Sequence, residues 1–194
     1  DLAEAEDAHR EKVRAMLDEP YRTMLGHFRH EIGHYYESFL ITDDQTRDRA
    51  RELFGDESED YQAAIDRHYA EGAPDDWQQH FISQYATMHP WEDFAETWAH
   101  YLHISDSIQT AEEFGLLRPA PTASFRERVT KTWMPLSTAL NMMNRSMGYD
   151  DLYPFVLSTP VLDKLEFVAG LAADAAAGSV KDSSAGDVEP ESGA

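Results

Sequence analysis

His30, Glu31 and His34 form the pattern His-Glu-x-x-His, inside the run Gly26-His27-Phe28-Arg29-His30-Glu31-Ile32-Gly33-His34-Tyr35-Tyr36. On an α-helix, positions i and i+4 lie one above the other on the same face. Two imidazoles placed so can bind one zinc ion. The carboxylate of Glu31 beside them can act as a general base toward water that the metal has acidified. The pentapeptide alone recurs by chance. It carries chemistry only if the segment is helical and a third ligand stands elsewhere in the chain.

A catalytic zinc site takes three protein ligands and keeps one position open. The sequence contains no cysteine, so a disulfide framework and Cys-bound zinc are excluded, and a metal must use histidine and carboxylate. Glu92 and Glu96 lie on one face of the helix expected after Pro90, in the run Pro90-Trp91-Glu92-Asp93-Phe94-Ala95-Glu96-Thr97-Trp98-Ala99-His100. One can bind the metal while the other accepts a hydrogen bond from a ligand histidine. Asp93 is a further candidate. Carboxylates this close to Trp91, Phe94 and Trp98 are costly to bury unless paired or metal-bound; a solvated helix face is the plainer reading. His100, one turn after Glu96, can bind substrate, stabilise a transition state or replace Glu92 as ligand, against the plainer reading of a core histidine. His27 lies one turn before His30 and can line the site, though a partly buried helix histidine is the simpler account. His89 and His103 read as structural or surface residues.

These residues need elements to hold them. In residues 21 to 40, Met24, Leu25, Phe28, Ile32, Tyr35, Tyr36 and Phe39 recur at spacings of three and four, which predicts a long amphipathic helix with Pro20 in its first turn. Tyr35 and Tyr36 read as packing residues. Gly33 costs that helix about 1 kcal/mol relative to alanine, so a small residue there points to close approach by another backbone or by a substrate. Residues 1 to 19 read as a charged surface helix. Residues 44 to 54 form a short helix capped around Thr42-Asp43-Asp44 and stopped by Gly55, and residues 57 to 71 repeat the pattern before Gly72. A helix over 77 to 86 would turn Trp77, Phe81, Ile82 and Tyr85 inward. Pro90 opens a helix to about 113. Residues 124 to 147 are helical with a kink at Pro135. Residues 148 to 159 are irregular, with Tyr149, Tyr153 and Phe155 packed. A last helix runs from Pro160 to about 177. No segment alternates as a strand does. The expected organisation is a helical domain over 1–177 and an acidic disordered tail over 178–194.

The chain has 194 residues, 42% of them hydrophobic, enough for a core. No apolar run approaches the ~20 residues of a membrane span, and no secretory leader opens the sequence. Its net charge of −21, from 16 basic and 37 acidic residues, makes nucleic acid a poor partner. The acidity can favour basic substrates, although solubility explains it as well. Absence of cysteine fits a reducing, cytoplasmic compartment. The sequence does not fix an oligomeric state.

The runs His27-Phe28-Arg29-His30-Glu31-Ile32-Gly33-His34-Tyr35-Tyr36 and His89-Pro90-Trp91-Glu92-Asp93-Phe94-Ala95-Glu96-Thr97-Trp98-Ala99-His100-Tyr101-Leu102-His103 together resemble bacterial zinc-binding metallopeptidases that carry an N-terminal zinc ribbon. The opening residues, Glu19-Pro20-Tyr21-Arg22-Thr23 and Leu53-Phe54-Gly55-Asp56-Glu57 resemble them too, and the likeness spans roughly residues 1 to 165. More broadly the layout is similar to gluzincins, in which a Glu from a later helix joins His-Glu-x-x-His. The resemblance implies a mainly α, zincin-like domain with few or no strands. It implies zinc held by His30, His34 and Glu92, with Glu96 supporting a ligand histidine. Some compact gluzincins place a tyrosine seven residues before the ligand glutamate. Tyr85 stands there, and its hydroxyl would stabilise an oxyanion. The family's Cys-rich ribbon is absent from this sequence. The expected activity is hydrolysis of peptide bonds in a peptide or protein substrate, with Glu31 as general base and Tyr85 or His100 at the oxyanion. The competing reading is a non-catalytic zinc-binding or acidic interaction module.

Overall fold

A computed structural model describes residues 23–184. Its elements are α1 (Met24–Leu40), α2 (Asp44–Phe54), α3 (Tyr61–Glu71), two 3₁₀ turns (Trp77–Gln79 and Tyr85–Thr87), α4 (Pro90–Glu113), α5 (Phe125–Arg128), a π turn (Val129–Trp133), α6 (Met134–Ser146) and α7 (Thr159–Ser184). Among the described residues there is no strand, so the mainly α class expected from the sequence holds. None of their helices is long and apolar enough to cross a membrane. The helix expected over residues 1 to 19, and residues 185–194 of the tail expected over 178–194, lie outside the described residues. Helix α7 continues to Ser184, past the end expected near Ala177.

Helix ends follow local chemistry. Thr23 caps α1 by accepting from the Gly26 amide, so the helix starts after Thr23; Pro20, expected in its first turn, lies outside the described residues. Asp43 caps α2 and Asp60 caps α3 in the same way. Gly55 and Gly72 end those helices with φ of 104° and 76°, where a side chain would be strained. Pro90 fills the first turn of α4, and the His89 ring accepts from the Trp91 amide.

Helix α4 is the axis of the fold. It packs against α1, α2, α7 and the second 3₁₀ turn. Phe94, Ile104 and Ile108 on it are fully buried, as are Val161, Leu165 and Val168 on α7. Each such side chain contributes about 1.5–3 kcal/mol relative to exposure. Lys164 of α7 is buried with Asp93 of α4 at 2.5 Å, and its ammonium also donates to the His80 carbonyl at 2.9 Å. This bond ties α7 to the start of α4.

Further expectations are corrected. Residues 77 to 86 do not form a continuous helix; two 3₁₀ turns flank an irregular bend. The Asp76 side chain makes no cap bond there, and the His80 carbonyl is taken by Lys164 instead of a helical amide. The break near Pro135 is a π turn just before it, which suits a proline that supplies no amide hydrogen. Tyr149 is exposed, whereas Tyr153 is buried and doubly bonded to Asn141.

Helix α1 carries its apolar residues outward. Leu25, Phe28, Ile32, Tyr35 and Phe39 are exposed, so Tyr35 is not a core residue. Tyr36 does pack, stacked on Trp98 at 4.7 Å between ring centres. The face turned to α4 is built from His30 and Gly33, the two buried residues of the helix. A Cβ at Gly33 would stand 2.9 Å from the Ala95 Cα and 3.1 Å from its carbonyl oxygen, so the two backbones are in contact there.

Candidate metal centre

The Gly33–Ala95 contact sets α1 and α4 close enough for short side chains to meet. His30 and His34 lie one turn apart on α1, and Glu92 comes from the first turn of α4. The His30 Nε2 and His34 Nε2 atoms are 3.1 Å apart. Glu92 Oε2 lies 2.9 Å from the first and 3.5 Å from the second. Among the described residues these three atoms are grouped closely enough to hold a metal ion. A tetrahedral zinc ion with bonds of about 2.0–2.1 Å has donor–donor edges of about 3.3–3.4 Å, which the three separations bracket. Glu92 Oε2 is buried and faces the two imidazole nitrogens; while those are unprotonated it has no donor, the unsatisfied state a cation would relieve. Two neutral nitrogens and one carboxylate oxygen also suit zinc chemically.

The support around these atoms is specific. Tyr61 of α3 donates its hydroxyl to Glu92 Oε1 at 2.6 Å and leaves Oε2 aimed at the imidazoles. Glu96 Oε1 is 2.7 Å from His30 Nδ1, and Ser83 donates to the other Glu96 oxygen at 2.7 Å. Burial alone would push Glu96 up, but the bond and charge of His30, with the Ser83 bond, hold it down to about 2. A carboxylate that stays ionised makes Nδ1 the donor and leaves Nε2 bare for a metal. Burial alone would lower His30; the bonds and charges of Glu92 and Glu96 overcome it and push the imidazole up to about 10. Burial would raise Glu92, yet bonds from His30, His34 and Tyr61 hold it below the usual carboxylate range. A proton on His30 therefore competes with a metal for the same site.

Glu31 sits between the two histidines in sequence but faces a cleft of about 380 Å³. His27, His30, Ser83, Tyr85, Glu96, His100 and His103 also line it. The Glu31 side chain is 56% exposed and approaches His27 Nε2 at 3.6 Å. Tyr85, on the second 3₁₀ turn, places its ring 5.6 Å from that of His30. Burial, with the charges of Glu92 and other neighbours, raises its phenol above the usual range, so it remains a donor. His100 reaches the same cleft, but its Nδ1 lies 2.8 Å from the Tyr153 hydroxyl and its ring abuts Phe155. Burial lowers it to about 4, which keeps it neutral. It is not among the three grouped donors.

The remaining candidates separate. Asp93 is engaged by Lys164 and turned away from the imidazoles. His89 is a helix cap, and its Nε2 meets the Glu59 carbonyl. His103 lies on the cleft wall beside Arg29, which in turn pairs with Asp106. Sequence reasoning missed Tyr61 and Ser83. By spacing Tyr61 is one more aromatic on a helix face, and no local pattern links it to Glu92.

A family model described as "Putative zinc-binding metallo-peptidase" matches residues 1–171. Uncharacterized proteins of Mycobacterium tuberculosis and Mycobacterium bovis are 55% identical over 176 residues, an alignment covering 87% of this chain and 52% of each relative. The chain spans about half the length of those relatives. No solved structure matches it.

Proposed function

The chain belongs to the zinc-binding metallopeptidase family, and on that premise we propose that it hydrolyses peptide bonds at a zinc site formed by His30, His34 and Glu92. The supporting observation is the convergence of two imidazole nitrogens and a buried carboxylate oxygen within 4.8 Å of one another, beside a cleft lined by Glu31. Zinc in such a site acidifies water and polarises a carbonyl. The chain's own residues do the rest. Glu31 removes a proton from the attacking water as its oxygen bonds to the scissile carbonyl carbon. As the C–N bond breaks, Glu31 passes that proton to the leaving amine. Tyr85 donates to the oxyanion, with neutral His100 as the other donor on the same cleft. Glu96 and Ser83 keep His30 in the tautomer that presents Nε2.

Glu31→Gln tests this. The variant is expected to retain one equivalent of zinc by elemental analysis and to lose at least about a hundredfold in kcat on a peptide library. Equal turnover in the variant sinks the mechanism. A zinc-loaded wild type that cleaves nothing assigns the site to a non-catalytic zinc module.

A further inference from the structure

Beside the candidate centre, a second groove of about 460 Å³, which Glu31 does not line, runs between α1, α2 and the start of α4. His34 and Glu92 are among its lining residues, so it adjoins the candidate centre. Its walls are apolar and aromatic: Ile41, Ala50, Phe54, Pro90 and Trp91. Two other carboxylates, Glu37 and Glu57, reach into it. Glu57 is spent on Arg51, with bonds of 2.7 and 2.8 Å. Arg47, the groove's one cation, pairs with Asp44 at 2.8 Å. The Glu37 carboxyl makes no hydrogen bond or ion pair among the described residues, although its backbone carbonyl accepts from the Ile41 amide. Burial pushes its carboxyl up to about 8, and the like charges of Glu57 and Glu92 add to the rise. A half-buried carboxyl without a partner, at the side of an apolar slot, is the counterpart of a long cationic side chain. The methylene stem of such a side chain covers apolar surface while its charged end seeks a carboxylate. Trp91, 42% exposed, offers a ring face to the same cation.

We propose that this groove is the subsite for a lysine or arginine side chain of the substrate, with Glu37 as its carboxylate partner. The proposal rests on the peptidase reading for its substrate class, and it makes the protein selective for basic peptides. Charge complementarity commits it to that occupant: Glu37 is the groove's one carboxyl whose side chain has no partner among the described residues, and a guanidinium or ammonium set beside it favours its ionised form.

Binding and turnover test it separately. Zinc-loaded Glu31→Gln protein is titrated with a short alanine-rich peptide carrying one arginine, and with the same peptide carrying norleucine or glutamate. Tryptophan fluorescence reports the affinity. The arginine peptide is expected to bind at least tenfold more tightly than either counterpart. Adding Glu37→Gln should abolish that advantage, and Glu37→Lys should transfer it to the glutamate peptide, with zinc content unchanged in both. Equal affinity for all three peptides, an arginine advantage that survives Glu37→Gln, or no binding of any peptide by folded zinc-loaded protein overturns the proposal. Turnover by the wild type is then measured on the same set. Arginine-dependent binding without turnover overturns the peptidase reading and leaves the subsite. Turnover indifferent to arginine does the reverse.

Discussion

At the scale of single residues, the candidate centre depends on partners that hold its ligands still. Tyr61 is the clearest, because its hydroxyl fixes which Glu92 oxygen faces the imidazoles. Tyr61→Phe removes one bond and little volume. It is expected to weaken zinc about 10–100-fold in a chelator competition while the circular dichroism spectrum stays unchanged. Glu37 predicts a pH effect. Its folded carboxyl is raised to about 8 from an ordinary 4.5, so the folded state holds more protons between those values. Stability from this group is therefore present at low pH and lost as pH rises through that window. Glu37→Gln, which does not titrate, should gain in melting temperature relative to wild type as pH goes from about 5 to about 8. A constant difference across that range would refute the assignment. The histidines and the two glutamates were legible because helical spacing displays them. Spacing alone did not say which glutamate faces both imidazoles, since both lie on one helix face; the family resemblance pointed to Glu92, and in the fold Glu92 Oε2 lies beside both Nε2 atoms while Glu96 meets His30 Nδ1.

At the scale of elements, the contact of α1 with α4 sets the site. Gly33→Ala would gain about 1 kcal/mol of helix propensity. Against it stands a Cβ 2.9 Å from backbone that cannot rotate away. Overpacking of that kind costs about 1–3 kcal/mol, so the net expectation is a loss in urea unfolding. Zinc affinity should fall as well, because α1 must move off α4 and carry both imidazoles with it. Much of the element order could be read in the sequence. Asp43 and Gly55 bound α2, and Pro90 opens α4, through local signals that tertiary structure left alone. Residues 77 to 86 defeated the same reading. Their apolar spacing is helical, but Lys164 takes the His80 carbonyl, and Ser83 accepts from the Ala86 amide while donating to Glu96. These are long-range claims on the backbone that no window of neighbouring residues displays. Without that bend, Tyr85 and Ser83 would not reach the same cleft.

At the scale of the whole molecule, α1 presents one face to α4 and the opposite face outward. Leu25, Phe28, Ile32, Tyr35 and Phe39 follow each other at alternating spacings of three and four, and all are exposed. Periodicity foretold that stripe but not its direction, because the inward face is defined by backbone contact at Gly33 instead of apolar bulk. Replacing Leu25, Phe28 and Phe39 singly with glutamine should change unfolding free energy by less than about 0.5 kcal/mol each. Losses of 2 kcal/mol or more would mean the stripe is buried in solution. The candidate centre has a different consequence at this scale. Its donors come from helices distant in the chain, in a protein without a single cysteine. An ion held by His30, His34 and Glu92 would close a long loop, as a crosslink does, and restrict the unfolded chain. Chelators would then act on this protein as denaturants, and its fold would record the availability of the metal around it.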